Sequence, residues 1–147
     1  MEDGQVIERI AAEIEIRNLI ARVQQMVDMG EVDEYLDLFV DDAVWVQPGD
    51  PGRGRAPDER RGRADIRAGV EERRAAGIQG PGTDTRHLSS TVSVQLEGVD
   101  DAVVTSYFQY YTDTSTHPTL GVMGWYRHAV RRTPHGWKVV RRELHFG

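Results

Sequence analysis

The spacing of apolar residues changes along this chain, and that change limits the folds open to it more than any other feature. From Val6 to Val27 apolar residues recur at intervals of three and four, with no proline or glycine among them, which is typical of an amphipathic helix. From Thr85 onward the interval becomes two, which is typical of strands that bury one face. Helices first and strands second predict an α+β fold, with helices packed on one face of a curved antiparallel sheet.

Turn and cap residues set the expected bounds of the elements. Gly30 is suited to end the first helix, and proline, glycine and acidic residues separate the later strands. The pattern predicts helices over 6–28, 31–40 and 63–76, a strand over 43–47, and strands over 85–97, 101–114, 119–132 and 136–146. Residues 48–62 are rich in glycine, proline and charge and predict a long exposed loop, and the pattern leaves open whether it closes over a site.

Length and composition exclude several classes of protein. A chain of 147 residues predicts one domain over 1–147, and the absence of cysteine excludes disulfides, thiolate nucleophiles and cysteine-bound metals. A net charge of −6 argues against a nucleic-acid partner. Since no apolar run approaches the roughly 20 residues of a membrane helix, and the N-terminus lacks a signal pattern, we expect a cytoplasmic protein with no membrane partner.

Metal and cofactor motifs are missing from the sequence. The histidines show no metal-ligand spacing, there is no Gly-x-Ser-x-Gly elbow, and prolines interrupt the glycines between 49 and 54 where a phosphate loop would need to enter a helix. We therefore expect neither a metal nor a cofactor. A curved sheet around a long helix leaves a cavity at its open end, and that is where chemistry is expected.

Alternation along the strands indicates which side chains share a face. His87 alternates with the apolar residues that follow it, so it lines the cavity only if the polar face does so or a β-bulge intervenes. In the next strand one of two sets must face inward: Tyr107, Gln109 and Tyr111, or Val104, Ser106, Phe108 and Tyr110. Tyr107 and Tyr126 are candidate hydroxyl donors to a substrate oxygen.

Four stretches of sequence carry a resemblance to a known family. They are Val27 to Trp45, Gly62 to Ile66, Thr85 to Ser90 and Gly136 to Arg142. Over residues 6–146 the chain resembles the SnoaL-like group of the nuclear transport factor 2-like superfamily. The resemblance implies a cone-shaped α+β fold with three N-terminal helices on a curved antiparallel sheet.

The resemblance also implies a catalytic pair. The scytalone dehydratases and hexachlorocyclohexane dehydrochlorinases of this group pair an aspartate at the end of the first helix with a histidine on the strand after the third helix. Asp28 and His87 match those positions. A carboxylate that binds one imidazole nitrogen makes the other a better base, so the pair could remove a proton from carbon or oxygen without a cofactor.

Other positions match or depart from related enzymes. Gln47 stands where ketosteroid isomerases carry their aspartate base, so that chemistry is not expected, although Gln47 could bind a substrate oxygen. Arg142 matches the last-strand arginine of the dehydrochlorinases, and Trp45 is expected in the cavity wall. Val23 replaces the lysine of the dehydrochlorinases, and Ser106 or Tyr107 replaces the second histidine of the dehydratases.

The leading hypothesis is therefore a cofactor-independent lyase or isomerase, of dehydratase or elimination type. Its general base is the pair Asp28 and His87, and its substrate is a small, mostly apolar molecule in contact with Trp45, Gln47, Tyr107, Tyr126 and Arg142. One alternative is a non-catalytic ligand-binding or assembly subunit. A further alternative is a polyketide cyclase, which is less favoured because residues 103–111 lack the mid-sheet aspartate of those enzymes. We expect a homodimer or higher homo-oligomer.

Overall fold

Three helices pack on a curved, unclosed sheet of six strands in a computed structural model that describes residues 2–147. The strand order is β2-β1-β6-β5-β4-β3, with every neighbouring pair antiparallel except β1 and β6. The helices are α1 (Asp3–Met29), α2 (Val32–Leu36) and α3 (Arg63–Ala75). The strands are β1 (Phe39–Gln47), β2 (Asp58–Arg61), β3 (Thr85–Glu97), β4 (Asp101–Thr112), β5 (Thr119–Thr133) and β6 (Gly136–Phe146). The α+β fold predicted from the sequence is confirmed.

The long helix α1 packs one face of its second half into the core. Ile16, Leu19, Ile20, Val23 and Val27 recur at helical spacing and are all buried against the sheet and the other helices. The apolar residues of its first turns behave differently: Val6, Ile7, Ile10 and Ile14 remain exposed. The helical period is thus continuous, but only the second half of α1 helps to enclose a site.

The second helix is shorter than the sequence predicts, and the first strand is longer. Helix α2 ends at Leu36, and Phe39 already pairs with Val139 of β6. The Val139 N–H donates to the Leu38 carbonyl at 2.8 Å. Sheet pairing therefore replaces the helical hydrogen bonds that 31–40 would need. The sheet is antiparallel except at this pair, where β1 runs parallel to β6.

The segment 48–62 was predicted as one long loop, and that prediction is wrong for part of it. Pro51–Arg53 form a 3₁₀ turn, and Asp58–Arg61 form β2, which adds an antiparallel edge to β1. The strand is only four residues long and strongly charged, which is typical of an edge strand and gives no hydrophobic pattern to detect.

A β-bulge divides β3 into two parts. The register against β4 shifts between Ser90 and Ser93, and Thr91 lies there with a left-handed φ of 51°. Before the bulge odd-numbered residues are the less exposed ones, and after it even-numbered residues are. His87 therefore faces the same way as Val92 and Val94, whereas Leu88 faces the opposite side and is 46% exposed.

No helix within residues 2–147 is both long enough and apolar enough to cross a membrane.

Candidate functional site

A cavity of about 400 Å³ opens where the sheet and the helices diverge. Its walls come from the end of α1, the end of α3, β1, and the inner faces of β3 to β6. Six aromatic side chains line the walls: Tyr35, Trp45, Phe108, Tyr110, Tyr126 and Phe146. Polar and charged side chains complete the lining: Gln47, Arg55, Asp58, Glu72, Arg73, Gln79, His87 and Arg142. Such a mixture suits a small organic molecule with few polar groups.

Asp28 occupies the last turn of α1 and is only 6% exposed. Burying a carboxylate is costly unless hydrogen bonds replace its water. Here both oxygens bind one residue of β3: Oδ2 accepts from the backbone N–H of His87 at 2.9 Å, and Oδ1 lies 2.7 Å from its Nδ1. Arg86 approaches Oδ2 only to 4.0 Å. The structure thus brings together the two residues that the sequence paired.

The contact with Asp28 determines the protonation pattern of the His87 ring. An ionised carboxylate only accepts hydrogen bonds, so Nδ1 carries the proton and Nε2 keeps a free lone pair. The ring lines the cavity and lies 4.8 Å, centroid to centroid, from Tyr110, whose hydroxyl donates to the Ile78 carbonyl at 2.6 Å. His87 is therefore oriented as an acceptor toward the cavity.

A second polar cluster centres on Arg142, which is 3% exposed. Its Nη1 lies 3.0 Å from Nε2 of His128, its Nη2 donates to Oε1 of Gln24 at 3.2 Å, and its guanidinium lies 4.2 Å from the centre of the Tyr126 ring. Burial, together with the charge of Arg142, lowers the pKa of His128 well below its usual value. His128 therefore stays neutral and accepts from Arg142 through Nε2.

Burial also raises the pKa of Tyr126 above its ordinary value. The Tyr126 hydroxyl accepts from Nε2 of Gln24 at 3.4 Å, and this leaves its own proton able to donate toward the cavity. Gln24 lies four residues before Asp28 on the same buried face of α1. The two polar clusters are thus carried by one helix.

Arg73 of α3 and Trp45 of β1 line the cavity side by side. Its guanidinium lies 4.5 Å from the centre of the Trp45 ring. Burial lowers the pKa of Arg73, and the charge of Arg142 acts in the same direction. Arg60, close by on β2, instead binds Asp58 and Glu72, each at 2.8 Å.

Most of the side chains predicted to bind substrate lie at this cavity. Trp45, Gln47, Tyr126 and Arg142 line it together with His87. Tyr107 does not: it is 51% exposed on the opposite face of β4, while Ser106 and Phe108 face inward. We therefore leave Tyr107 out of the candidate site, because the alternation of β4 places it outside.

Two residues that sequence reasoning passed over lie in or beside the site. Arg73 follows Ile66 and Val70 at helical spacing, so its place on the buried face of α3 was detectable, but the many charges of that helix suggested solvent. His128 alternates with the buried Tyr126 and Val130 of β5, and that pattern also marked it as inward-facing. Within residues 2–147, no three His, Asp or Glu side chains are arranged to hold a metal ion.

Comparisons with known proteins agree with this architecture. The SnoaL-like domain family matches residues 8–143. An NTF2-like protein from Novosphingobium aromaticivorans is 25% identical, with a TM-score of 0.82 over 97% of this chain and 86% of its own. A protein of that organism, provisionally described as an aromatic ring hydroxylase, is 26% identical, with a TM-score of 0.71 over 93% of this chain and 90% of its own. No curated protein matches the chain.

A third solved structure from the same organism, provisionally described as a scytalone dehydratase, is 21% identical, with a TM-score of 0.66 over all of this chain and 89% of its own. These neighbours share the fold of this chain. Because the match takes in nearly the whole chain and the fold is shared, the chain belongs to the SnoaL-like family of the nuclear transport factor 2-like superfamily.

Proposed function

We propose that this protein is a cofactor-independent lyase or isomerase whose general base is Nε2 of His87, oriented by Asp28. The observation that supports the proposal is the pair of hydrogen bonds, 2.7 and 2.9 Å long, that ties both oxygens of a buried carboxylate to one histidine at the cavity wall. Holding the imidazole in one tautomer is what a general base in a water-poor site requires.

The proposed reaction begins with transfer of a proton from a substrate carbon to Nε2 of His87. The negative charge of Asp28 stabilises the imidazolium that forms. The electron pair left on carbon then expels a leaving group on the neighbouring carbon, which is elimination, or the proton returns at another carbon, which is isomerisation. Tyr126, kept protonated by burial, can donate to an oxygen on which charge develops.

Proton abstraction can be tested before the natural substrate is known. The probe is 2-tetralone in D₂O, in which loss of the acidic C–H signals is followed by ¹H NMR. We expect the protein to accelerate exchange, and His87→Gln and Asp28→Asn to slow it by about 10²- to 10⁴-fold, the usual contribution of a general base. His145→Gln is the matched control, since His145 stacks on Trp125 at 3.9 Å outside the cavity. Exchange that persists in both site variants would exclude this mechanism.

The alternative function is a binding or assembly subunit without catalysis. The neighbour described as an aromatic ring hydroxylase is the reason to test this alternative. A wild-type protein that binds small aromatic molecules but exchanges no proton would support this alternative. The homo-oligomer expected from the sequence stays a prediction. Exposed apolar side chains suited to such contacts are Ile7, Ile10 and Ile14 of α1 and Leu88, Leu120 and Met123 of the sheet.

A further inference from the structure

The cavity holds positive charge that the protein itself does not neutralise. Arg142 is 3% exposed, yet its hydrogen-bond partners, His128 and Gln24, are both neutral. Its Nε is buried and has no hydrogen-bond partner in the described chain. Buried charges in proteins are usually paired, because an unpaired one is costly. A buried arginine without a carboxylate partner indicates that a negatively charged ligand binds there.

Arg73 is a second arginine of the cavity that has no carboxylate partner among the described residues. Its guanidinium lies over Trp45 and forms no ion pair with any carboxylate of residues 2–147. The two acidic residues of the cavity rim, Asp58 and Glu72, are both bound by Arg60 at 2.8 Å. Burial lowers the pKa of Arg73, and the charge of Arg142 acts in the same direction, so the two guanidinium groups repel each other.

Some arginines outside the cavity are arranged differently. The half-buried Arg63 and Arg67 and the exposed Arg131 each form an ion pair with an aspartate. Other surface arginines form no ion pair with the described part of the chain but are exposed to solvent, such as Arg9, Arg22 and Arg127. Within residues 2–147, Arg142 lacks both a carboxylate partner and solvent exposure, and Arg55 and Arg73 also line the cavity without an ion pair. This contrast is what a site for an anion requires, since a resident carboxylate would compete with the ligand.

We propose that the cavity selects small organic carboxylates, with the carboxylate held by Arg73 and Arg142 and the apolar body against Trp45 and Phe108. The inference rests on the proposed function, because it names the substrate class of the same site. It refines the mostly apolar substrate expected from the sequence to an amphipathic one. The carboxylate would then be anchored on the arginine side while a C–H bond of the body is presented to His87.

The test compares the affinity of 1-naphthoate with that of its neutral isostere 1-naphthamide, measured by isothermal titration calorimetry. Hydrogen bonds to a charged group predict that naphthoate binds at least about 10-fold more tightly, and that Arg73→Met and Arg142→Met each weaken naphthoate by about 10- to 100-fold without weakening naphthamide. Arg131→Met is the matched control, because Arg131 pairs with Asp101 far from the cavity and should leave both affinities unchanged. Should Arg142→Met fail to fold, the half-buried Arg73 carries the test alone.

Equal affinity for the two probes would overturn the proposal, as would naphthoate binding that neither arginine variant weakens. Failure of benzoate, 1-naphthoate and indole-3-acetate all to bind at up to about 5 mM would overturn it as well. His87→Gln separates the two proposals. Naphthoate binding that survives in His87→Gln while 2-tetralone exchange is absent from the wild type supports the anion site and rejects the base. Binding lost in His87→Gln would assign the anion to the imidazole and reject the arginine site.

Discussion

His87 lines the cavity and His128 is fully buried beside Arg142, and the surroundings of the two rings are opposite in charge. His87 binds a buried carboxylate through Nδ1, which leaves Nε2 free toward the cavity. His128 offers Nε2 to the guanidinium of Arg142, and its own Nδ1 is buried without a partner in the described chain. Both rings therefore carry their proton on Nδ1, but only one retains a lone pair for a substrate.

The comparison shows that the partner, more than the histidine, determines what the ring can do. Next to Asp28 the ring of His87 is held with its proton on Nδ1, which leaves Nε2 for the proton transfer that we propose. Next to Arg142 and without water an imidazolium is disfavoured, and the pKa of His128 is lowered accordingly. His128 serves as a neutral acceptor that positions Arg142, while His87 is the base of the proposed reaction.

The largest expected effect comes from moving His87 away from Asp28 without replacing either residue. Deleting Thr91 removes the bulge of β3, and because strand faces alternate with a period of two, the residues before it turn to the opposite face. We expect 2-tetralone exchange to fall by about 10²- to 10⁴-fold, as in His87→Gln. Circular dichroism checks the fold, and His128 should keep its environment. A deletion variant that still exchanges like the wild type would show that the bulge does not place His87.

A medium effect is expected on the free energy of unfolding at acid pH, and it reports on the protonation of His128. The folded-state pKa of His128 lies below the unfolded value near 6.5, so the unfolded chain takes up a proton as the pH falls while the folded chain does not. The free energy of unfolding should therefore decrease below pH 6.5, at up to about 1.4 kcal/mol per pH unit. Urea unfolding between pH 7.5 and 4.5 measures this slope.

His128→Gln is the control for the pH experiment, since the amide oxygen can still accept from Arg142 and does not titrate. The slope should become shallower in that variant by the contribution of His128. Asp84 has its pKa lowered by hydrogen bonds from Ser115 and Thr114, so its contribution is lost only as the pH falls below about 4, outside this window. An identical slope in both proteins would mean that His128 is not kept neutral.

The smallest expected effect concerns the strain that accompanies the placement of His87. Thr91 is β-branched and adopts a left-handed φ of 51°, which is unfavourable for such a residue. Thr91→Gly should raise the free energy of unfolding by about 0.5–1 kcal/mol, since relief of strain outweighs the entropy cost of glycine. Ser93→Gly, on the same strand but without positive φ, should lower it. Thermal unfolding of the two variants makes the comparison, and destabilisation by both would show that Thr91 is not strained.

Spacing in the sequence was sufficient for most of the fold. The long helix, the third helix and the four long strands lie within a few residues of the predicted bounds, because each buries one face and so carries its own period. The edge strand β2 was missed because its residues Asp58–Arg61 are all charged. The length of α2 was wrong because pairing with β6, which is distant in sequence, decides where β1 begins.

For the site, the sequence by itself determined the residue types and the pairing of Asp28 with His87 by resemblance. It also offered a bulge as one way to bring His87 inward, and it left two sets of residues on β4 open. Only the tertiary structure decided these questions, because a bulge and a sheet face are properties of register between strands. The unneutralised charge of Arg73 and Arg142 is likewise visible only in three dimensions, since it depends on which carboxylates are already bound to other arginines.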